Sequence, residues 1–197
     1  LPDQIKLSGL SGTLWAGNSA RAWILFEDQP IVLGQISWKL LPWRALWSAP
    51  VEISTKWGTQ TFSAGIGSGL EGDIHFSDVR LNFDTRLVQV FLPLYLSGMI
   101  AVDLKALAIE GDAVTLIEGS VLLSQAKWTA RSGHLPLGTY RVVFEGAEDP
   151  MGAVRGIVST EEGALTVSGV IELTPDSYQV VLEGTGPAAR DQSFLRA

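Results

Sequence analysis

The chain contains no cysteine, and only two of its 197 residues are histidine, His75 and His134. Without thiols neither a disulfide framework nor a thiolate metal site can form, although this leaves the cellular compartment open. No further ligand type stands at metal-site spacing from either imidazole, so no metal and no cofactor is expected. Positive charge is also scarce: 14 Lys and Arg against 21 Asp and Glu give a formal net charge of −7. Nucleic-acid binding needs clustered Lys and Arg to displace phosphate counterions, and no basic stripe is present, so nucleic acid is excluded as a partner. Long hydrophobic runs are missing as well. The longest uncharged stretch, Leu87 to Val102, contains Pro93 and Gly98 and falls short of the roughly 18 to 20 apolar residues that span a bilayer. It reads as a buried helix followed by a core strand.

Glycine and apolar side chains are plentiful. With 21 glycines, 46% apolar and 18% charged residues, the chain is not disordered and suits many strands joined by tight turns. Alternation of period two dominates. In Leu165 to Leu173 the positions Leu165, Val167, Gly169, Ile171 and Leu173 share one side, and Thr166, Ser168 and Glu172 the other. Tyr178, Val180 and Leu182 continue the pattern after the turn Thr174-Pro175-Asp176-Ser177, which predicts a hairpin with those three side chains inward. Thr139 to Glu145 and Ala153 to Thr160 form a second predicted pair. Further strands are expected over Ile5 to Ala16, Ala20 to Glu27, Ile31 to Leu40, Pro50 to Trp57, Gln60 to Ile66, Gly72 to Phe83, Gly98 to Ala108 and Val114 to Ala130. The apolar parity flips between Phe76 and Val79, and a β-bulge near Ser77-Asp78 would return both to one face. One helix is expected over Asp84 to Leu92, with Asp84 or Thr85 as N-cap and Pro93 ending it. The fold class is therefore mainly β. The expected architecture is one domain over residues 1–197, built as a long curved antiparallel sheet or an open or partly closed barrel-like structure with one short helix.

No motif supplies a complete chemistry. Asp73 and His75 share a strand face at i and i+2, yet they read more simply as a solvent-facing polar pair, and His134 lies in the apparent loop Ser132 to Pro136. Gly67-Ser68-Gly69-Leu70-Glu71-Gly72 spells G-x-G-x-x-G, but a strand rather than a helix follows it, and Glu71 and Asp73 would repel a phosphate. Glu145, Glu148, Asp149, Glu161 and Glu162 provide carboxylates for a glycosidase, but they fall in predicted turns, away from the tryptophans concentrated before residue 58.

The tryptophans are the unusual resource. Trp43 and Trp47, with Arg44 and Leu46, form a candidate interaction patch, because Trp and Arg enrich interface centres and Trp favours lipid headgroup levels. The other reading of the same cluster is Trp packing across the inner face of a curved sheet. The stretch Gly9, Leu10, Ser11, Gly12, Thr13, Leu14, Trp15, Ala16, Gly17 reads as a bent strand ending in a Trp-x-Gly turn, its glycines giving shape while Trp15 packs. On that reading the functional surface lies elsewhere.

Leu7 to Gly17 followed by Leu33-Gly34-Gln35-Ile36-Ser37-Trp38 resembles the type II secretion system protein N family of Gram-negative bacteria, with Gly9, Gly12, Thr13, Leu14, Trp15 and Gly17 as its structural motif. Gly98 to Leu107, Gly119 to Trp128, Leu137 to Tyr140 and Gly163 to Gly169 continue the likeness in order, so that it covers nearly the whole chain. The resemblance implies a bitopic inner-membrane protein, of which residues 1–197 are the periplasmic β-rich domain without its N-terminal anchor. That expectation accords with a start at Leu1 and a strand already under way at Ile5. It further implies a non-enzymatic accessory component that contacts inner-membrane platform proteins or the secretin. An alternative is a periplasmic lipid-binding module of the AsmA-like or lipopolysaccharide-transport kind, with lipid as the partner. A β-sandwich carbohydrate-active enzyme is a further alternative.

Overall fold

In a computed structural model of the chain, the described residues are 5–26, 29–46, 49–68, 73–90, 95–111, 113–130, 133–146, 153–174 and 177–190. Twelve strands follow one another: β1 (Ile5–Gly12), β2 (Ala16–Phe26), β3 (Gln29–Leu40), β4 (Val51–Trp57), β5 (Gln60–Ser68) and β6 (Ile74–Asp84). The second half comprises β7 (Leu96–Glu110), β8 (Ala113–Ala130), β9 (Gly133–Glu145), β10 (Val154–Gly163), β11 (Thr166–Thr174) and β12 (Ser177–Thr185). Each pairs antiparallel with its neighbours in sequence, giving one sheet in the order β1 to β12. Neither β1 nor β12 has a second partner among the described residues, so the sheet is open rather than closed into a barrel.

Because paired residues project to the same side, the register can be followed as rows across the sheet. One row runs Ser19, Ile36, Thr55, Phe62, Leu81, Val102, Val121, Val142 and Val158, and is mostly apolar. The next position along the strands gives the opposite face: Asn18, Ser37, Ser54, Ser63, Arg80, Asp103 and Ser120. Beyond β8 this polar row turns apolar, continuing through Val143, Ile157, Val170 and Val181. One layer cannot cover its own apolar side completely. The chain exposes 13083 Å², against about 9,000 Å² for a compact protein of its mass.

Two clusters supply the packing that exists. Ala64, Val79 and Leu104 occupy the middle of the apolar face with Ile53, Phe62, Phe76, Val102, Leu107 and Ile117 around them. At one end of the sheet Ala126, Leu137, Leu165 and Ala188 pack together, and the Tyr140 hydroxyl donates to the Leu165 carbonyl at 2.9 Å. Burial there pushes the Tyr140 phenol above its ordinary value. Curvature thus brings β8, β9, β11 and the 3-10 turn Ala188–Arg190 into one cluster.

The bulge expected near Ser77-Asp78 is present. Asp78 has φ 50, and the β5–β6 register slips between Ser63↔Arg80 and Gly65↔Ser77, which puts Phe76 and Val79 on one face. A second bulge, at Gln125 with φ 53, shifts β8 against both neighbours and keeps Leu123 and Ala126 in one cluster. Three local expectations are corrected. The helix expected over Asp84 to Leu92 is, as far as Val90, a 3-10 turn, Thr85–Val90, while residues 91–92 lie outside the described residues; Asp84 does cap the turn, its Oδ1 accepting the Arg86 N–H at 2.9 Å. Thr85 at its start is 2% exposed, and its hydroxyl accepts the Gly98 N–H at 3.0 Å, which ties the turn to β7. His134 and Pro136 lie within β9 rather than in a loop. The missing N–H of Pro136 is tolerated there because β9 pairs with β10 only from Gly138 onward. Finally, the first strand does not run to Ala16; β1 ends at Gly12 and a tight hairpin begins.

A notch between two exposed tryptophans

That hairpin builds the candidate site. Gly12 pairs with Gly17, and Gly12 adopts φ +92, where a side chain would meet the Ala16 carbonyl. The Thr13 N–H donates to the Ala16 carbonyl at 2.8 Å, and the Ala16 N–H returns to Thr13 Oγ1 at 3.2 Å, so the turn satisfies its own backbone. Leu14 and Trp15 are thereby thrust outward at 72% and 59% exposure. The expectation that Trp15 packs inward is corrected: the ring lying over Gly17 is that of Trp38.

Strand β3 ties this tip down. Trp38 Nε1 donates to the Leu14 carbonyl at 3.1 Å and the Leu40 N–H to the Trp15 carbonyl at 2.7 Å. The chain then leaves β3 through Leu41, whose N–H donates to the Pro50 carbonyl at 2.6 Å, and enters the 3-10 turn Pro42–Leu46. Trp43 projects from that turn at 63% exposure. Between Trp15 and Trp43 lies a notch of about 380 Å³, lined also by Ala16, Lys39, Leu40, Leu41 and Pro42. Apart from the Lys39 ammonium, its walls are almost wholly apolar.

Arg44 turns away from the notch and pairs with Glu52 of β4 at 2.6 Å, which fixes the 3-10 turn against the sheet. Leu46 closes the turn, and Trp47 lies outside the described residues. Gly9 is in β1 with φ +68. On the other side of Arg44 a larger depression of about 770 Å³ is lined by the polar face, with Ser37, Ser54, Ser63 and Ser77 on it. Ser37 donates to Asn18 Oδ1 at 2.6 Å there.

The remaining candidates stay apart. His75 and His134 are exposed on β6 and β9, and no group of three or more His, Cys, Asp or Glu side chains fit to hold a metal occurs among the described residues. Glu161 is ion-paired to Arg141, Glu145 and Glu162 are exposed, and Glu148 and Asp149 lie outside the described residues, as does the 69–72 part of the glycine-rich stretch. Sequence reasoning kept Trp15 and Trp43 separate. The signal joining them was Gly12 and Gly17 flanking a four-residue turn, which places the tip of β1–β2 beside the end of β3.

Comparison with known proteins matches residues 3–197 to the family described as type II secretion system (T2SS), protein N. The chain belongs to that family. It is 28% identical over 203 residues to the type II secretion system protein N of Aeromonas hydrophila, covering 97% of this chain and 76% of that protein. It is also 30% identical over 148 residues to the protein of the same name from Vibrio cholerae, covering 71% of this chain and 56% of that protein. No solved structure matches. Family membership makes the chain a component of the type II secretion system and associates it with the cell envelope. No helix among the described residues is long and apolar enough to cross a membrane.

Proposed function

We propose that this chain is a non-enzymatic, periplasmic part of an inner-membrane-anchored type II secretion component, and that it works by holding another protein of the machine in the Trp15–Trp43 notch. The observation carrying the reading is that two tryptophans, 59% and 63% exposed, flank an apolar notch on a backbone fixed by five hydrogen bonds and an ion pair. Rigid aromatic anchors lose little conformational freedom on binding and supply large contact area, which is why they dominate interface energetics. Arg44 supports that surface from behind by holding the Pro42–Leu46 turn to Glu52. Inner-membrane platform proteins or the secretin are the partners in view.

A lipid-handling role draws on the apolar side of the sheet. The middle of that side is filled by its own Ala64, Val79 and Leu104, each under a tenth exposed, which favours the protein-contact reading. Native mass spectrometry of gently extracted protein is expected to show no stoichiometric lipid.

Photocrosslinkers placed at Trp15, Trp43 and Trp47 in intact envelopes test the proposal. The expected result is capture of a secretion component at the first two positions, lost when the other notch tryptophan is changed to alanine. Capture of no secretion component from any of the three would overturn it.

A further inference from the structure

We propose that the outer edge of β12 pairs with β12 of a second copy of this chain, in an antiparallel two-fold register centred on Val181. This dimer does not rest on the notch reading and uses the opposite edge of the sheet.

The two edges of the sheet differ. Natural edge strands are blunted by Lys, Pro, bulges or irregular backbone, because a free row of N–H and C=O groups recruits other strands. β1 carries Lys6 and the left-handed residues Gly9 (φ +68) and Gly12 (φ +92). β12 reads SYQVVLEGT, with no Lys, Arg or Pro, one Glu and no left-handed residue. Its side chains are exposed along the whole strand, including Tyr178 at 78%, Val181 at 54% and Leu182 at 50%. Among the described residues, the chain after β12 turns back into the Ala188–Leu165 cluster and does not cover this edge.

Apolar residues also occupy both faces here. The even positions Tyr178, Val180 and Leu182 adjoin Leu173 and Ile171, while Val181 continues the row Val143, Ile157, Val170 on the face that is polar elsewhere. A sheet ending in water would gain nothing from that change. A sheet continuing into another apolar strand would.

The strand is complementary to itself. A Cβ placed on Gly169 would collide with the Val181 carbonyl oxygen, so Val181 directs its backbone groups toward β11, and the even residues direct theirs outward. Pairing β12 with its copy about Val181 sets Val180 against Leu182, Tyr178 against Gly184 and Gln179 against Glu183. The opposed even residues are then the hydrogen-bonded pairs, as an antiparallel ladder requires. Each apolar residue meets another, an aromatic ring covers a glycine, and no carboxylate faces a carboxylate. The contact is isologous, so it closes at two copies instead of growing into a filament.

The cysteine-free chain permits a direct test. In this register the two Val181 residues form a non-hydrogen-bonded pair with Cα atoms about 4.5 Å apart, within disulfide range. Val181→Cys is therefore expected to give a disulfide-linked dimer under mild oxidation at least about tenfold faster than Gln179→Cys or Val170→Cys, whose copies lie farther apart. Val180→Pro removes an outward N–H without touching the β11 ladder. It should leave the far-ultraviolet circular dichroism unchanged and convert the dimer seen by sedimentation to monomer, and its urea midpoint should lose the dependence on protein concentration that a wild-type dimer shows. The proposal is overturned if the wild-type chain sediments as a monomer at about 100 μM, a concentration that populates even weak micromolar dimers. It is equally overturned if Val181→Cys links no faster than the two controls, if crosslinks join β12 to β1 of another copy, or if β12 captures only a different protein.

Discussion

Replacing Gly17 by alanine drives a methyl group into the Trp38 ring, because a Cβ at that position lies well inside van der Waals contact with Cζ2 and Cε2. The backbone at Gly17 is not left-handed, so alanine incurs no intrinsic conformational penalty, but the methyl group also meets the Thr13 carbonyl oxygen at 2.9 Å, and the double variant with Trp38→Leu separates the Trp38 contact from that one. Overpacking of this kind costs roughly 1 to 3 kcal/mol. A displaced Trp38 also loses the Nε1 hydrogen bond to the Leu14 carbonyl, worth about 0.5 to 1.5 kcal/mol. Together these give a destabilisation of about 1.5 to 4.5 kcal/mol, read from urea unfolding with an unchanged m-value. Gly184→Ala is the control: its Cβ meets only Leu165 Cδ1 at 3.7 Å, and it should stay within about 0.5 kcal/mol of wild type. The double variant Gly17→Ala with Trp38→Leu should recover at least about 1 kcal/mol relative to additivity, since a smaller side chain leaves space for the methyl group. A Gly17→Ala change below about 0.5 kcal/mol, or strict additivity in the double variant, would refute the packing of Trp38 across Gly17.

Gly12→Val should destabilise by more than about 2 kcal/mol in urea unfolding, because it combines a left-handed backbone with a clash against the Ala16 carbonyl. Thr85→Val leaves the Gly98 N–H without its partner and should cost about 1 to 3 kcal/mol by the same assay, with Thr85→Ser recovering most of it. Asp78→Val should reduce the unfolding free energy from urea titration by about 1 to 2 kcal/mol, whereas Asp78→Gly should be neutral or stabilising, because φ 50 suits glycine. The Asp84 carboxyl is held below its ordinary range chiefly by the Arg86 side-chain hydrogen bond and then by the Arg86 backbone N–H. Its stabilisation is therefore present above the unfolded carboxyl value of about 4 and is lost as the pH falls through the lower folded value, so Asp84→Asn should flatten the acid limb of the urea midpoint against pH.

Alternation made the strands legible, since period two distinguishes the two sides of a half-buried strand wherever branched and aromatic residues mark one of them. It also made the Asp78 bulge legible, because Phe76 and Val79 are large and only an extra residue puts them on one side. The Gln125 bulge rests on the same logic, but its marker is Ala126, too small to stand out against Leu123 in the sequence. The hairpin at Thr13 to Trp15 was hidden for a different reason. Leu14 and Trp15 look like core residues, and it takes the Gly12–Gly17 pairing to show that they stand at a tip. Period two assigns a side but says nothing about whether anything covers it. Tyr178, Val180 and Leu182 do share the side of Leu173 and Ile171, as the pattern requires, yet all three are about half exposed or more. The notch was illegible in the same way, because it depends on the end of β3 meeting a turn one strand pair earlier.

A meander in which every strand hydrogen-bonds only to its chain neighbours resembles a repeat array, in that each strand draws its support mainly from the two beside it. Interior strands are held on both sides, whereas β1 and β12 are held on one, so the ends are where the sequence must either add support or leave an opening for a partner. At the β1 end support is added: the Thr13 turn closes on itself, Trp38 clamps it through the Leu14 carbonyl, and irregular glycines blunt the edge. The tryptophans raised on that rigid end present side chains, not backbone, to a partner. At the β12 end the edge backbone is regular and the polar face gives way to valine and isoleucine. What it presents is hydrogen-bonding groups with apolar side chains on both faces. The two ends therefore select different kinds of contact, a side-chain anchor at one and strand addition at the other, and a single copy can engage both at once because they lie on opposite edges of one sheet.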